Sequence, residues 1–346
     1  MYSSTLDGLL RQVGTVRAHV RTSERIRNLI MRRDILCTNA ARACFDVGSF
    51  YSEALDPTEW RIIDHCAAVT RLYAVYERFV ADILGAHLAF LESNFKYAEL
   101  NDRLRRDHRR FLGNILADLD KSRYGHLPLE SVIKDFQDCL SGSASYRILP
   151  DALLTHDQNL RMPELSELFS RCDVGDMADW MSRHRTARAF FREQSRQSDT
   201  VDAELRQIVE ARNDAAHGGL EVDNVYGSEV LVEFADFIAM VCIVIHERIC
   251  HEGVSKLVTL RKADEIGTIR HKYSNNRVRA IIGAVTISVG DAVYIKQERC
   301  CYRAAITSLM EDDKLVSSIT AYKDREIGIS FDVEPFLHGD IVYVPV

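Results

Sequence analysis

Hydrophobic positions recur every three to four residues along roughly the first three quarters of the chain, the spacing of amphipathic helices. Residues 5–46 carry this pattern in two runs, which predicts a helix hairpin. Asp56-Pro57 then breaks the pattern and begins a helix predicted over Thr58–Leu91, because proline fits well in a first helical turn. The predicted core-facing stripe of this long helix is Ile62, Cys66, Val69, Tyr73, Tyr76, Val80, Ile83 and His87.

Two further helices are predicted before residue 254. One begins after Ser198-Asp199-Thr200, which can cap a helix, and ends at His217, where Gly218-Gly219 tolerate left-handed dihedrals. The other spans Val230–Ile249 and ends at His251-Glu252-Gly253. Its longest apolar run is shorter than the roughly 18 residues that a membrane span needs, so it is predicted to be a buried helix.

From Ala280 onward the pattern changes to alternation with many β-branched residues, which indicates strands. The candidate strands are Ile281–Ile287, Ala292–Lys296, Tyr302–Leu309, Leu315–Ala321, Glu326–Phe331 and Ile341–Val346. Short strands separated by Gly-Asp turns indicate a small closed barrel. The predicted fold class is therefore α+β and multidomain, with an all-α helical bundle over residues 1–253, a basic linker over 254–280 and a small β-barrel over 281–346.

The net charge of −7 argues against a protein that coats nucleic acid by bulk electrostatics. Any contact with RNA must come from local basic patches. Two patches supply the candidate RNA-binding residues, which are Arg183, Arg185 and Arg188 in the helical part and Arg270, Lys272 and Arg277 in the predicted linker. A solvated surface is the competing explanation of such patches.

The nine cysteines form no C-x2-C pair, which gives neither a disulfide framework nor a zinc site and indicates a reducing compartment. On a strand, adjacent Cys300 and Cys301 point to opposite faces, which predicts one buried and one exposed thiol. The segment Met1–Asp7 lacks the features of a signal peptide, so a cytoplasmic location is expected. No metal site and no cofactor are expected.

Candidate chemistry is concentrated where the helix before Gly218 ends. Arg212, Asn213 and His217 bring a guanidinium, an amide and an imidazole into six residues. An imidazole can act as general base or acid near neutral pH, and a guanidinium can stabilise a phosphate. A solvated helix end with a capping histidine is the competing interpretation.

Helix geometry limits what one copy of this segment can do. At about 100° per residue, Asn213 and His217 share a face, whereas Arg212 lies roughly 140° from His217. A second copy of the helix, packed antiparallel across a two-fold axis, would bring the arginine of one chain near the histidine of the other. A homodimer with a composite site is therefore expected.

Glu77 lies beside the apolar stripe of the long helix, in a row with the small residues Thr70, Ala74 and Ala81 that lets another helix approach closely. A carboxylate there needs a partner. One hypothesis is that Glu77 orients Arg212 or His217, and the other is that it pairs with Arg78 or another surface cation.

The Arg-polar-x3-His pattern at a helix end resembles the signature of the HEPN family of all-α domains, many of which are metal-independent endoribonucleases that work as dimers. The stretches Arg71–Val80 and Asn159–Leu165 resemble its RiboL-PSP-type branch, over about residues 55–250. The resemblance implies catalytic roles for Arg212, Asn213, His217 and Glu77, a 2′,3′-cyclic phosphate product, and a setting in phage defence or a toxin–antitoxin system.

The strand order of the C-terminal part resembles the domain II β-barrel of translation GTPases. The expected partners are RNA, with tRNA or another structured RNA among the candidates, a second copy of the chain, and a regulatory or antitoxin protein. No membrane association is expected.

A second hypothesis is a non-catalytic HEPN dimer that binds RNA, nucleotide or protein. The complete Arg, Asn and His set favours the ribonuclease. A related family arrangement uses a tyrosine two residues after the histidine as the target of adenylylation, and Gly219 at that position excludes it here.

Overall fold

The computed structural model describes residues 2–32, 52–143, 145–193, 200–217, 224–273, 276–335 and 338–344. The helices in chain order are α1 Ser3–Arg32, α2 Pro57–Asn94, α3 Asp102–Ala117, α4 Leu129–Ser141, α5 Pro150–Leu154, α6 Met162–Arg171, α7 Met177–Arg183, α8 Arg185–Glu193, α9 Val201–His217 and α10 Ser228–Thr259. The first arm of the predicted hairpin is α1. The rest of that prediction falls on residues 33–51, outside the described part of the chain.

The long helix α2 is confirmed. The Asp56 side chain caps it by accepting a hydrogen bond from the Thr58 amide at 2.8 Å, and Pro57 occupies its first turn. The predicted stripe is buried from Val69 to His87, which makes α2 the central helix of the bundle. Helices α1 and α10 pack against it and against each other, and α9 packs on another side of α2.

The predicted end of α10 at His251-Glu252-Gly253 is wrong, since the helix continues to Thr259. Ion pairs one turn apart support the extension, with Glu252 contacting Arg248 at 2.9 Å and Lys256 at 3.0 Å. Burial of Val254 and Leu257 adds to this support. These contacts offset the cost of about 1 kcal/mol that a glycine inside a helix carries. Among the described residues, no helix is both long and apolar enough to cross a membrane.

The C-terminal part is a closed antiparallel barrel, as predicted. The strands are β1 Asp264–Lys272, β2 Arg277–Ile282, β3 Val285–Ser288, β4 Ala292–Gln297, β5 Cys300–Glu311, β6 Lys314–Val316, β7 Ser318–Ala321, β8 Arg325–Phe331 and β9 Asp340–Tyr343. Pairing runs β4-β9-β1-β2-β8-β5, and a β4–β5 pairing closes the ring. Strand β6 pairs antiparallel with the end of β5, while β3 and β7 form a separate two-stranded sheet.

The basic segment 254–280 is not a linker. It contains the end of α10 and then β1 and most of β2, which pair antiparallel within the barrel. Its basic residues misled the prediction because they alternate with buried ones, as when exposed Arg277 and Arg279 flank buried Val278. The division into domains stays a prediction.

Strand β5 lies between the barrel core and the helical bundle. Cys300 packs inside the barrel, while Cys301 packs outward in a cluster that includes Cys250 and Val254 of α10. Both thiols are therefore buried, and the prediction of one exposed thiol is wrong. Burial raises the pKa of the Cys300 thiol to about 12 and that of Cys301 well above its usual range.

Candidate active site

Helix α9 carries the sequence motif to one edge of the bundle. Thr200 directly precedes the first residue of the helix, and its Oγ1 accepts a hydrogen bond from the Ala203 amide at 3.2 Å. The described part of the helix continues to His217, so the His217 backbone lies one turn beyond Asn213. The His217 side chain, Ser198-Asp199 and Gly218-Gly219 lie outside the described part of the structure.

Arg212 is held against the long helix. Its guanidinium carbon lies 5.2 Å from the centroid of the Tyr73 ring on α2. Its Nη1 donates a hydrogen bond to Asn213 Oδ1 at 3.1 Å, and Asn159 Nδ2 donates to the same oxygen at 3.2 Å. Asn213 therefore connects the arginine to the segment that precedes α6.

Tyr73 joins this segment to α2 through a hydrogen-bond chain. The Leu160 amide donates to the Tyr73 hydroxyl at 2.9 Å, and that hydroxyl donates to Glu77 Oε1 at 3.3 Å. The neighbouring Tyr76 hydroxyl donates to the Leu160 carbonyl at 3.3 Å. Burial is the main cause that raises the pKa of Tyr73 to about 12, so the phenol keeps its proton at neutral pH.

Glu77 has a different neighbour from either one considered from sequence. Its Oε1 lies 4.0 Å from Nε2 of His156, with the two side chains 39% and 25% exposed. Arg78 pairs instead with Asp82 one turn away, at 2.9 Å. The role of Glu77 in orienting Arg212 or His217 stays a prediction.

These side chains surround one cleft of about 540 Å³. It is lined by Glu77, His156, Asp157, Gln158, Asn159, Arg161, Glu164 and Arg212. The carboxylates of Glu77, Asp157 and Glu164 outnumber the guanidiniums of Arg161 and Arg212. Two buried polar atoms of the lining, Arg161 Nε and Glu164 Oε2, have no hydrogen-bond partner among the described residues.

A family model described as RiboL-PSP-HEPN matches residues 46–251, more than half of the chain. The chain belongs to the RiboL-PSP-HEPN family. This confirms the resemblance inferred from the motif stretches, and membership indicates an RNase-like or RNA-binding role. The match includes the whole cleft and α9 but not the barrel. No curated protein matches the chain.

Sequence reasoning missed His156, Arg161 and Glu164, which line the HEPN cleft, and Tyr73, whose hydroxyl donates to Glu77 of that lining. Three of them stand in the stretches that resemble the family, Arg71–Val80 and Asn159–Leu165. Their position there was the signal that could have identified them. His156 is a single histidine in an irregular segment, and nothing in the local pattern connects it with Glu77.

The predicted RNA-binding residues lie away from this cleft. Arg183 and Arg185 line a second cleft of about 540 Å³ between the HEPN region and the barrel. Lys272 forms an ion pair with Glu334. This contact is the main cause that lowers the pKa of the Glu334 carboxyl group, and the positive charge of Arg185 lowers it further. Arg185 and Lys272 therefore lie on the same side of the molecule, across the junction.

The other three residues of this group are exposed. Arg270 lies at an irregularity of strand β1, and Arg277 begins β2 beside the end of β1. Arg188 lines a smaller cleft of about 340 Å³ with Met162 and Phe191. None of the six lines the cleft that contains Arg212. Contact of these residues with RNA stays a prediction.

No group of three or more His, Cys, Asp or Glu side chains placed to hold a metal ion occurs within the described ranges.

Proposed function

We propose that the HEPN region is a metal-independent endoribonuclease in which the ribose 2′-hydroxyl attacks the adjacent phosphate. The products are a 2′,3′-cyclic phosphate and a 5′-hydroxyl. The observation that carries this proposal is the placement of Arg212, hydrogen-bonded to Asn213, in a cleft beside Glu77 and His156, on the helix that continues to His217.

Each residue of the motif has a role in this reaction. His217 takes the proton from the 2′-hydroxyl as general base. Arg212 stabilises the negative charge that builds on the phosphoryl oxygens. Asn213 holds the Arg212 guanidinium through their hydrogen bond and so fixes its direction. An imidazole and a guanidinium can perform these steps themselves, so the reaction is proposed to run in the presence of a chelator.

A site shared by two chains fits the charges of the cleft. In one chain its carboxylates outnumber its guanidiniums, which disfavours a phosphodiester. The end of a second α9 would bring further basic groups to it. The small residues Thr70, Ala74 and Ala81 of α2 are exposed in the single chain, which supports close approach of a second helix.

The excess of carboxylates in one chain counts against cleavage in this cleft, so the alternative is a HEPN dimer that binds RNA, nucleotide or protein without cleaving. In either case we propose a cytoplasmic protein, with tRNA or another structured RNA as its substrate or ligand. We also propose that a regulatory or antitoxin protein binds the chain. Its proposed biological role is in phage defence or as a toxin.

The test uses a mixture of single-stranded RNA oligonucleotides with the full-length protein in excess EDTA. The expected products carry 2′,3′-cyclic phosphate and 5′-hydroxyl ends, and a 2′-O-methyl group at the cleaved step abolishes cleavage because it removes the nucleophile. Cleavage that requires added magnesium or manganese contradicts the proposed chemistry. Binding without any cleavage supports the non-catalytic alternative.

A further inference from the structure

The cleft is lined by an imidazole, that of His156, which the reaction proposed above does not use. His156 belongs to the irregular segment between α5 and α6 and lines the cleft together with Glu77 and Arg212. It also lines a larger neighbouring cleft of about 670 Å³, which shares Asp157, Gln158 and Glu164 with the first. His156 therefore lies at the boundary between the two clefts.

Hydrogen bonding fixes which nitrogen of His156 can exchange a proton. Nδ1 lies 2.8 Å from the Gln158 carbonyl oxygen, and a carbonyl oxygen can only accept. Nδ1 must therefore carry a hydrogen and donate it. The proton that the ring gains and loses is the one on Nε2, which is the nitrogen that lies 4.0 Å from Glu77 Oε1.

The carboxylate beside Nε2 is itself held in place. The Leu160 amide donates to the Tyr73 oxygen, so the Tyr73 hydroxyl hydrogen is free to bind Glu77 Oε1. The separation of 4.0 Å between Glu77 and His156 is longer than a hydrogen bond. The Nε2 proton can therefore be given to a third atom in the cleft while the carboxylate stays beside the ring.

We infer that His156 is the general acid of the reaction and that Glu77 is its positioning residue, an inference that rests on the proposed function. As the 2′-oxygen forms its bond to phosphorus, His217 takes the 2′-hydroxyl proton. The bond from phosphorus to the 5′-oxygen breaks, its electron pair stays on that oxygen, and His156 Nε2–H protonates it. Exchange with water returns both imidazoles to their starting forms.

The test compares two RNA oligonucleotides of one sequence that the wild type cleaves at a single step. In one the leaving atom is the natural 5′-oxygen, and in the other it is a bridging 5′-sulfur, which departs as a thiolate without protonation. His156→Ala is expected to lower cleavage at oxygen by about 10² to 10⁴-fold and cleavage at sulfur by less than about tenfold. His217→Ala is expected to lower both, because both need the base.

Glu77→Gln tests the positioning role, with a smaller loss at oxygen than His156→Ala and little change at sulfur. His126→Ala is the matched control, since His126 also contacts a carboxylate, Asp151 at 2.9 Å, but lines neither cleft. His156→Gln serves if the alanine variant fails to fold.

Equal losses on the two substrates, or no loss on either, overturn the role of His156. They leave the ribonuclease standing if His217→Ala is inactive on both substrates. Failure of the wild type to cleave either oligonucleotide overturns the proposed function itself.

Discussion

At the scale of single residues, burial and hydrogen-bond direction set the protonation states that matter. Tyr73 receives a hydrogen bond from a backbone amide and passes its own to Glu77, so one phenol connects the segment before α6 to the candidate site. Arg212 lies over the same ring. Loss of this hydroxyl would leave the Leu160 amide unpaired in the interior, at a cost of about 1–3 kcal/mol.

A buried histidine gives a prediction for stability against pH. His108 on α3 accepts a hydrogen bond from the Leu149 amide at Nε2 and contacts the Tyr97 hydroxyl through Nδ1. Burial lowers its pKa from 6.5 to about 4. Between these values the unfolded chain binds a proton that the folded chain does not, so the free energy of unfolding decreases as the pH falls. At pH 5 we expect His108 to account for a loss of about 2 kcal/mol relative to neutral pH.

Urea unfolding of the wild type and of His108→Gln at pH 7 and pH 5 measures this contribution. The glutamine variant is expected to lose about 2 kcal/mol less between the two values than the wild type does. The comparison within each protein removes the cost of the substitution itself. Equal losses in both proteins would contradict a neutral buried His108. His87 and His251, whose pKa burial lowers to about 4, contribute in the same direction in both proteins.

At the scale of elements, the sequence predicted those helices whose buried residues recur every three to four positions and those strands whose buried residues alternate with exposed ones. Helix α2 and the strands predicted at Tyr302–Leu309 and Glu326–Phe331 are of this kind. The predicted strand Leu315–Ala321 is wrong as a single strand, since it divides into β6, which pairs with β5, and β7, which pairs with β3. The end of α10 and the start of the barrel were wrong because tertiary contacts decide them. Gly253 normally interrupts a helix, but the barrel covers the residues after it and the helix continues.

The candidate site could be predicted in part for the same reason. Arg212, Asn213 and His217 form one local motif on one helix, which a sequence displays directly. The approach of His156 to Glu77 depends on how the segment before α6 folds back onto α2. That segment is fixed by the Leu160 hydrogen bonds to Tyr73 and Tyr76, which have no signature in local periodicity.

At the scale of the whole molecule, the barrel is packed onto the helical bundle. Cys250, Val254 and Leu257 of α10 form one buried cluster with Tyr294, Cys301 and Val342 of the barrel. The helical residues of this cluster belong to α10, and most of its other buried residues belong to β-strands. The outward face of β5 is therefore an interior surface at Cys301, which explains why neither adjacent cysteine is exposed.

The two-chain site gives a prediction at this scale. Arg212 and His217 diverge by roughly 140° around α9, so one chain is poorly built to direct both at one phosphate. Mixing Arg212→Ala protein with His217→Ala protein, under conditions that let subunits exchange, is expected to restore part of the cleavage activity. Each mixed dimer would then retain one complete site made from the intact residues of opposite chains.

The oligomeric state of the protein is measured by sedimentation at the concentration used for the cleavage assay. Absence of rescue in freely exchanging dimers would show that each chain completes its own site. A protein that cleaves RNA while it sediments as a monomer would contradict a site built from two chains.

The most direct test of the ribonuclease is the cleavage rate of RNA by Arg212→Ala and His217→Ala, measured beside Arg206→Ala. Arg206 is an exposed arginine on the same helix, paired with Asp202 at 2.8 Å and outside the cleft. We expect rates about 10² to 10⁴-fold below wild type for the two motif variants and a wild-type rate for Arg206→Ala, all with nearly unchanged circular dichroism and Tm. A well-folded His217→Ala protein that cleaves RNA at the wild-type rate would contradict the account.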